Sequence, residues 1–505
     1  MRLRPAALVF VFLSVGGSVR PAAAQCPDGS SPPCRSGRVA APPPKSIAVL
    51  YFENLSPDTT DAYLADGLTE QVLSHLGRVN RLSVKRVSRL AAHRLRDSVP
   101  DYVVALGRVL SVRYIVEGSV RRAGPRLRVS ARLVRTRDGI DMWREDYDRV
   151  PSDLLLLEDD IARQVARAVT GQLTPSEVTA IGLGGSRDPI AHEHYLRGNF
   201  YLSRRTAPAM TRALDEYGSA VAIDSGFVEP LARIGYTYSL CFALGAPCGG
   251  LSPDSLLNRA RGVSELALAR DSNSAEAWLA RGSVVFGAND APSFRLAQRA
   301  LERSLALAPR NSEAWHVYGV ILRAQGEDSA AAVAYHRALE IEPYRPTSLN
   351  GLGAAAFFAH DFAASSRWLD SALTLDPAFP LAYHYRARVR ILLSDTTGAL
   401  ADAEMFLRLT GSRLIVVTRA LVAALRGDTA ETRRSLEYIQ REVPDDFEGQ
   451  AALLVALHEY EDALSILERA RPLGLTLWGV LRDPELDSLR FHPRFQRLFE
   501  ETRPR

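Results

Sequence analysis

The residues that could do chemistry are few, and most are sulfur, imidazole or carboxylate. Cys26, Cys34, Cys241 and Cys248 are the four cysteines, and they fall into two close pairs. Three pairings are open, and spacing favours the two local ones, Cys26–Cys34 and Cys241–Cys248. Metal binding is the rival reading, but no CxxC and no paired histidine accompanies them. Asp66 and Glu117 could act as a general acid and base. No nucleophile or metal ligand joins them, so no catalytic residue is expected. Lys45 and Lys85 are the only lysines, which removes most scope for Schiff-base chemistry. No GxxxxGK[ST], GxSxG, HExxH or dinucleotide-binding fingerprint occurs, and no cofactor is expected.

The whole-chain balance narrows the class further. The chain has 505 residues, and 47% of them are apolar, which rules out wholesale disorder. The 62 basic and 58 acidic residues leave a net charge of only +4, so no dominant field for a polyanion is implied. Arginines crowd Arg121 to Arg137, but aromatic residues are scarce there and no nucleic-acid motif appears. A solvated sheet face is the better reading, and no nucleic-acid partner is expected.

Residues 1–24 have the form of an export signal. Arg2 and Arg4 precede an apolar stretch from Ala6 to Val15, well short of the ~20 residues a membrane-spanning helix needs. Ala22-Ala23-Ala24 supplies small residues for cleavage before Gln25. Lipidation at Cys26 is the alternative, against which the bulk of Gln25 weighs. The expected location is the periplasm or outside the cell, with no integral membrane segment after cleavage. There disulfides persist. Residues 25–44, rich in proline, glycine and serine, read as an extended tether.

Residues 45–183 read as a small α+β domain. Ser46 to Phe52 is an apolar run of strand length. Ser56-Pro57 resembles the start of a helix whose buried stripe is Leu64, Leu68, Val72 and Leu76. A weaker strand lies near Leu82 to Val87, and a helix near Asp101 to Leu110. Leu127, Val129, Ala131 and Leu133 alternate with Arg126, Arg128, Ser130 and Arg132, giving a strand with one core face. With Arg113 to Arg122 before it and Met142 to Tyr147 after the Asp138-Gly139 turn, it forms an antiparallel meander. Leu154, Leu157, Ile161 and Val165 mark a closing helix.

Five segments carry a resemblance. They are Ser46 to Leu50, Phe52 to Ser56, Tyr63 to Glu70, Arg113 to Arg121, and Trp143 to Glu145 with Tyr147 to Arg149. In this order they resemble the TolB-like amino-terminal domain, a small α/β module. The resemblance implies a docking module and brings no catalytic residue.

Residues 188–505 repeat with a period near 34. In Ser312 to Arg345, Trp315, Tyr318, Gly319, Leu322, Ala331, Tyr335, Ala338 and Pro343 follow the tetratricopeptide pattern. Leu349, Leu352, Gly353, Ala356, Ser365, Leu369, Ala372 and Pro377 repeat it. Small residues let paired helices approach, and units stack into an all-α superhelix because one hairpin cannot bury its own apolar face. Six to seven units are expected, with a shortened pair near Gln450 to Ala470 and a terminal helix from Asp487 to Phe499. His316, His336, His360 and His384 fall at repeat positions that point in different directions, so no metal site is expected.

Tetratricopeptide arrays generally hold a peptide on the inner face of their first helices. Here that face would present His316, Arg323, Asn350, Phe357, His384 and Arg388. With the export signal read above, the resemblance implies an exported, non-enzymatic scaffold with a protein or peptide partner. The same pairing of modules resembles the carboxyl-terminal part of some bacterial regulators, kinases and nucleotide cyclases, so a sensory or regulatory role is the alternative. An enzyme with an unrecognised site in the first domain is the third reading.

Overall fold

The computed structural model describes residues 42–87, 102–182, 185–186, 188–246, 248–284, 291–410 and 415–503. The expected export signal and all but the last three residues of the tether, with Cys26 and Cys34, lie outside them. The first element is β1 (Ser46–Val49), followed by β2 (Glu53–Asn54) and α1 (Ala62–Gly77). Then come β3 (Ser83–Arg86), α2 (Tyr102–Leu110), β4 (Tyr114–Ala123), β5 (Arg126–Arg135) and β6 (Ile140–Arg149). Helices α3 (Leu154–Thr170) and α4 (Pro175–Ile181) follow.

The sheet is mixed, in the order β3-β1-β4-β5-β6, with β2 alongside β4. β1 is parallel to both of its neighbours, while β4, β5 and β6 form the antiparallel meander that the alternation in β5 implies. Both faces of β1 are covered, because an unbroken apolar strand exposes hydrophobic side chains on each side. Ile47 and Val49 pack with Leu64, Leu68 and Val72 of α1, and Ala48 and Leu50 pack with Leu106 and Leu110 of α2.

One local expectation is corrected. The sequence places a helix start at Ser56-Pro57, but a 3-10 turn (Thr59–Asp61) intervenes and α1 begins at Ala62. The Ser56 hydroxyl is engaged elsewhere, accepting the Arg122 backbone N–H at 2.9 Å. Asp58 caps the turn instead, accepting from the Thr60 N–H at 2.8 Å.

From Pro189 onward the chain is helical hairpins. They are α5 (Pro189–Leu202) with α6 (Ala207–Ile223), and α7 (Val228–Ala243) with α8 (Pro253–Arg270). Next are α9 (Ala275–Ser283) with α10 (Ala291–Leu307), and α11 (Ser312–Ala324) with α12 (Asp328–Ile341). Then α13 (Pro346–Phe358) pairs with α14 (Phe362–Leu375), and α15 (Pro380–Leu392) with α16 (Thr396–Thr410). The last are α17 (Ile415–Leu425) with α18 (Thr429–Glu442), and α19 (Phe447–Ala456) with α20 (Tyr460–Arg469). The described residues thus hold seven full helical hairpins and a shorter eighth.

Close approach within a hairpin depends on the missing side chain at repeat position 8. A Cβ on Gly319 would lie 2.6 Å from the Tyr335 ring, and one on Gly351 of the next hairpin would lie equally close. Tyr335 is therefore a fully buried wedge between two hairpins.

The array closes with α21 (Leu475–Leu481), a 3-10 segment (Pro484–Leu489) and α22 (Pro493–Thr502). The expected terminal helix from Asp487 is thus shortened. Pro493 has no N–H to continue a helix from 487, and serves as the first residue of α22.

Cys241 and Cys248 are bridged. Cys241 belongs to the last turn of α7, and Cys248 opens a 3-10 turn (Cys248–Gly250). Replacing both with serine should cost about 2–3 kcal/mol of stability, the value for a loop this short. Chemical denaturation of wild type and variant checks it.

Candidate binding face

Successive first helices, from α7 through α19, touch one another along the array. They therefore form the inner layer, and their polar positions form its face. Two parts of the chain itself lie against that layer: the sheet unit near α11 and α12, and the closing segment from Trp478 to Arg490.

Near α11 the layer carries a buried ionic network. Glu313, at the second position of its repeat, accepts hydrogen bonds from Arg345, Arg205 and the Tyr236 hydroxyl. Arg345 also reaches Glu342 at 2.9 Å, and Glu342 accepts from the Ser312 hydroxyl at 2.9 Å. Burial opposes ionisation of Glu313, but Arg345 and Arg205 prevail and hold its carboxyl well below the usual range. From the sheet unit, Arg86 pairs with Glu70 at 2.6 Å, and the Val84 carbonyl accepts from Arg310 at the foot of α11. Tyr344 packs against the cluster of Ala48, Leu50, Leu106 and Val134. The sheet unit thus meets the array at its third strand, and it also packs on α5 through α1 and α3, where Tyr63 bonds Glu193 at 2.5 Å and Glu158 meets His192 at 2.9 Å.

His316 sits inside this network, 3.3 Å from the Ser348 hydroxyl and against the Tyr335 ring. Burial, reinforced by Arg345, pushes its imidazole down to about 3. His384 packs against Tyr385 and Phe406, and burial with Arg388 pushes it down to about 3 as well. Both rings stay neutral in the fold, whereas unfolded histidine gains its proton below 6.5. Stability is therefore lost as pH falls from 6.5 toward 3. Each should contribute ~1–2 kcal/mol of that loss by about pH 5. Denaturation at pH 7 and 5 should show a smaller drop for His316→Asn with His384→Asn than for wild type.

Two of the other face residues, Arg388 and Arg323, are held by the closing segment. Arg388 is 8% exposed and contacts Asp483, Glu485 at 3.1 Å and Glu448 at 3.0 Å. Its guanidinium also lies 5.0 Å from the centre of the Phe357 ring. The Arg323 carbonyl accepts from Arg482 at 3.0 Å, and Arg482 pairs with Asp328. Arg323 and Arg482 both stack over Phe358. Beyond α13, His360 faces Asp487 at 3.3 Å and Arg490 at 3.2 Å. Trp478 packs against Gly326, whose φ of +81° places it in the left-handed region, and a side chain there would collide with the indole. Asn350 is buried on α13, and its Oδ1 has no hydrogen-bond partner among the described residues.

The structure thus puts Arg323, Phe357 and Arg388 beside one closing segment, and His316 in a second cluster near the sheet unit. Sequence reading missed Glu313, although its second-position slot marks it. It missed Asp483 and Glu485 because their partner lies 95 and 97 residues away.

Asp66 and Glu117 are kept apart. Glu117 on β4 accepts from Arg132 and from Tyr102 of α2, on one face of the sheet, while α1, which carries Asp66, covers the other face. The arginines of β5 are ion-paired: Arg126 with Asp148, Arg132 with Glu117, and Arg135 with Asp138 at 2.9 Å. Among the described residues, no helix is long and apolar enough to cross a membrane.

No family model matches the chain. It is similar to "Putative adenylate cyclase 3" of Rhizobium meliloti, 31% identical over 237 residues, which cover 46% of this chain and 39% of that protein. It is similar to human tetratricopeptide repeat protein 36, 33% identical over 107 residues, covering 20% of this chain and 56% of that one. Among solved structures, the APC/C hetero-tetramer Cut9–Hcn1 is similar over 69% of this chain and 66% of the other, with 15% identity and a TM-score of 0.44. The chain spans well under half the length of the cyclase.

Proposed function

We propose that this chain is an exported, non-catalytic scaffold whose helical array holds a protein partner. In this reading the sheet unit, TolB-like in its five sequence segments, docks envelope components. The observation that carries the reading is the continuous inner layer of first helices, to which successive hairpins contribute polar and aromatic positions. The ion pairs of β5 support a solvated sheet surface in place of a nucleic-acid site.

The test has two arms. Amino-terminal sequencing of the mature protein should begin at Gln25, and retention of Met1 would remove export from the reading. A photo-crosslinking residue at an exposed turn of the inner layer should link to a second protein in envelope extract. Links only within the chain itself would remove the scaffold role.

A second reading, a regulatory module of a signalling system, is favoured by the similarity to the Rhizobium cyclase. Retention of Met1 in a cytoplasmic chain, co-purifying with a cyclase or kinase, would select it.

A further inference from the structure

We propose that β6, the free edge of the sheet, is the surface through which two copies of this chain associate, pairing antiparallel about Glu145 so that one sheet continues across both molecules. Such a pair carries two helical arrays, whichever partner each inner layer holds.

The edge is open, and it is flanked by apolar side chains. Among the described residues, β6 has a strand neighbour on one side only, β5. Its other side offers backbone N–H and C=O groups, the template on which a further strand forms. Ile140 and Met142 at its start are 51% and 40% exposed, and Val150 just past its end is 39% exposed. A covering strand would bury all three. The stretch Trp143–Arg149 runs in unbroken register against β5, because the irregularity of that ladder lies between Leu133 and Val134, before Trp143 is reached.

The charges of β6 select the occupant. Trp143 and Tyr147 turn toward the core beneath α1 and α3, so Arg144 and Asp146 lie on the opposite face of the sheet. There they are poorly matched within the chain. Arg144 stands directly opposite Arg132 of β5, a like-charged pair, and leans on Asp141 of its own strand at 3.6 Å. Asp146 is exposed opposite Ser130, which carries no charge. A charged edge repels most strands and so admits few registers. Two copies of β6 related by a twofold axis at Glu145 meet in a register that supplies what each lacks. Arg144 of each copy then faces Asp146 of the other, and on the core side Trp143 comes beside Tyr147 of the other copy. At each end, Ile140 and Met142 of one copy reach the strand end that carries Arg149 and Val150 in the other. The one like-charged contact in the centre is Glu145 against its own image.

The test is the mass of the full chain in solution, measured by analytical ultracentrifugation on wild type and variants. Wild type should sediment as a dimer in concentration-dependent exchange with monomer. Arg144→Asp and Asp146→Arg should each weaken the dimer by roughly tenfold or more, since two attractive cross-strand pairs become repulsive. The chain carrying both substitutions restores the pairs in reversed order and should return to wild-type association. Glu145→Gln removes the central repulsion and should tighten the dimer. A wild-type chain that stays monomeric at every concentration would overturn the proposal, as would a dimer that the single reversals leave unchanged. Loss in both single variants without recovery in the double would overturn it too. A full chain with Glu145→Cys gives a second reading should a charge variant fail to fold. Position 145 lies on the axis, so mild oxidation should link the introduced thiol to its own counterpart in a second molecule, as read by peptide mapping. A link from that position to a different protein of envelope extract, and none to itself, would give the edge to another chain's strand. That result would overturn the pairing and leave the scaffold reading standing.

Discussion

Replacing Arg388 with alanine should destabilise the fold by about 3–5 kcal/mol, because it leaves buried carboxylates without their cation. Arg388 is 8% exposed and is the shared partner of Asp483, Glu485 and Glu448. Its removal leaves Asp483, itself 2% exposed, buried without its counter-charge. The stacking over Phe357 is lost as well. The loss should be largest near neutral pH and shrink in acid, since protonated carboxylates no longer need a counter-charge. Arg388→Lys should recover only part of the effect, because an ammonium cannot span several carboxylates as a planar guanidinium does. Chemical denaturation of the three proteins at two pH values checks both statements.

Tyr335→Ala should cost a comparable ~3–5 kcal/mol, by a different cause. The ring is fully buried and fills the space opened by two glycines, Gly319 in its own hairpin and Gly351 in the next. Removing it leaves a cavity bounded by helix backbones, which cannot collapse far without re-stacking two repeats. Because each hairpin is stabilised chiefly by its neighbours, the defect should divide the array. Hydrogen exchange should accelerate in both α11–α12 and α13–α14, whereas a loss confined to one hairpin would contradict the wedge. Tyr335→Phe keeps the wedge and should cost far less.

The strands and hairpins were legible because their signals are local. Alternation along Leu127, Val129, Ala131 and Leu133 fixes which face of β5 is buried, and all four are at most 1% exposed. The spacing of Gly319, Tyr335 and Gly353 likewise announces where helices touch. The groove residues were harder to read because position in a repeat states which way a side chain points, not what comes to meet it. Arg388 and Arg323 point inward as the repeat implies, but they meet a segment whose own pattern is irregular. Prolines 484 and 493 break that segment into a 3-10 stretch and a short helix, erasing the helical periodicity that would have marked it. Helix starts failed for a similar reason. Ser56 has the right side chain for a cap, but a backbone N–H from β4, 66 residues away, takes its hydroxyl.

The central claim is that the inner layer carries the chain's own closing segment across consecutive hairpins. Its most direct test places one cysteine at each end of the contact between His360 and Asp487, in a full chain bearing His360→Cys and Asp487→Cys. A short bis-maleimide linker should join the two within one molecule at near-complete yield, read by mass spectrometry of the proteolytic fragments. Modification of both thiols without an intramolecular link would contradict the arrangement.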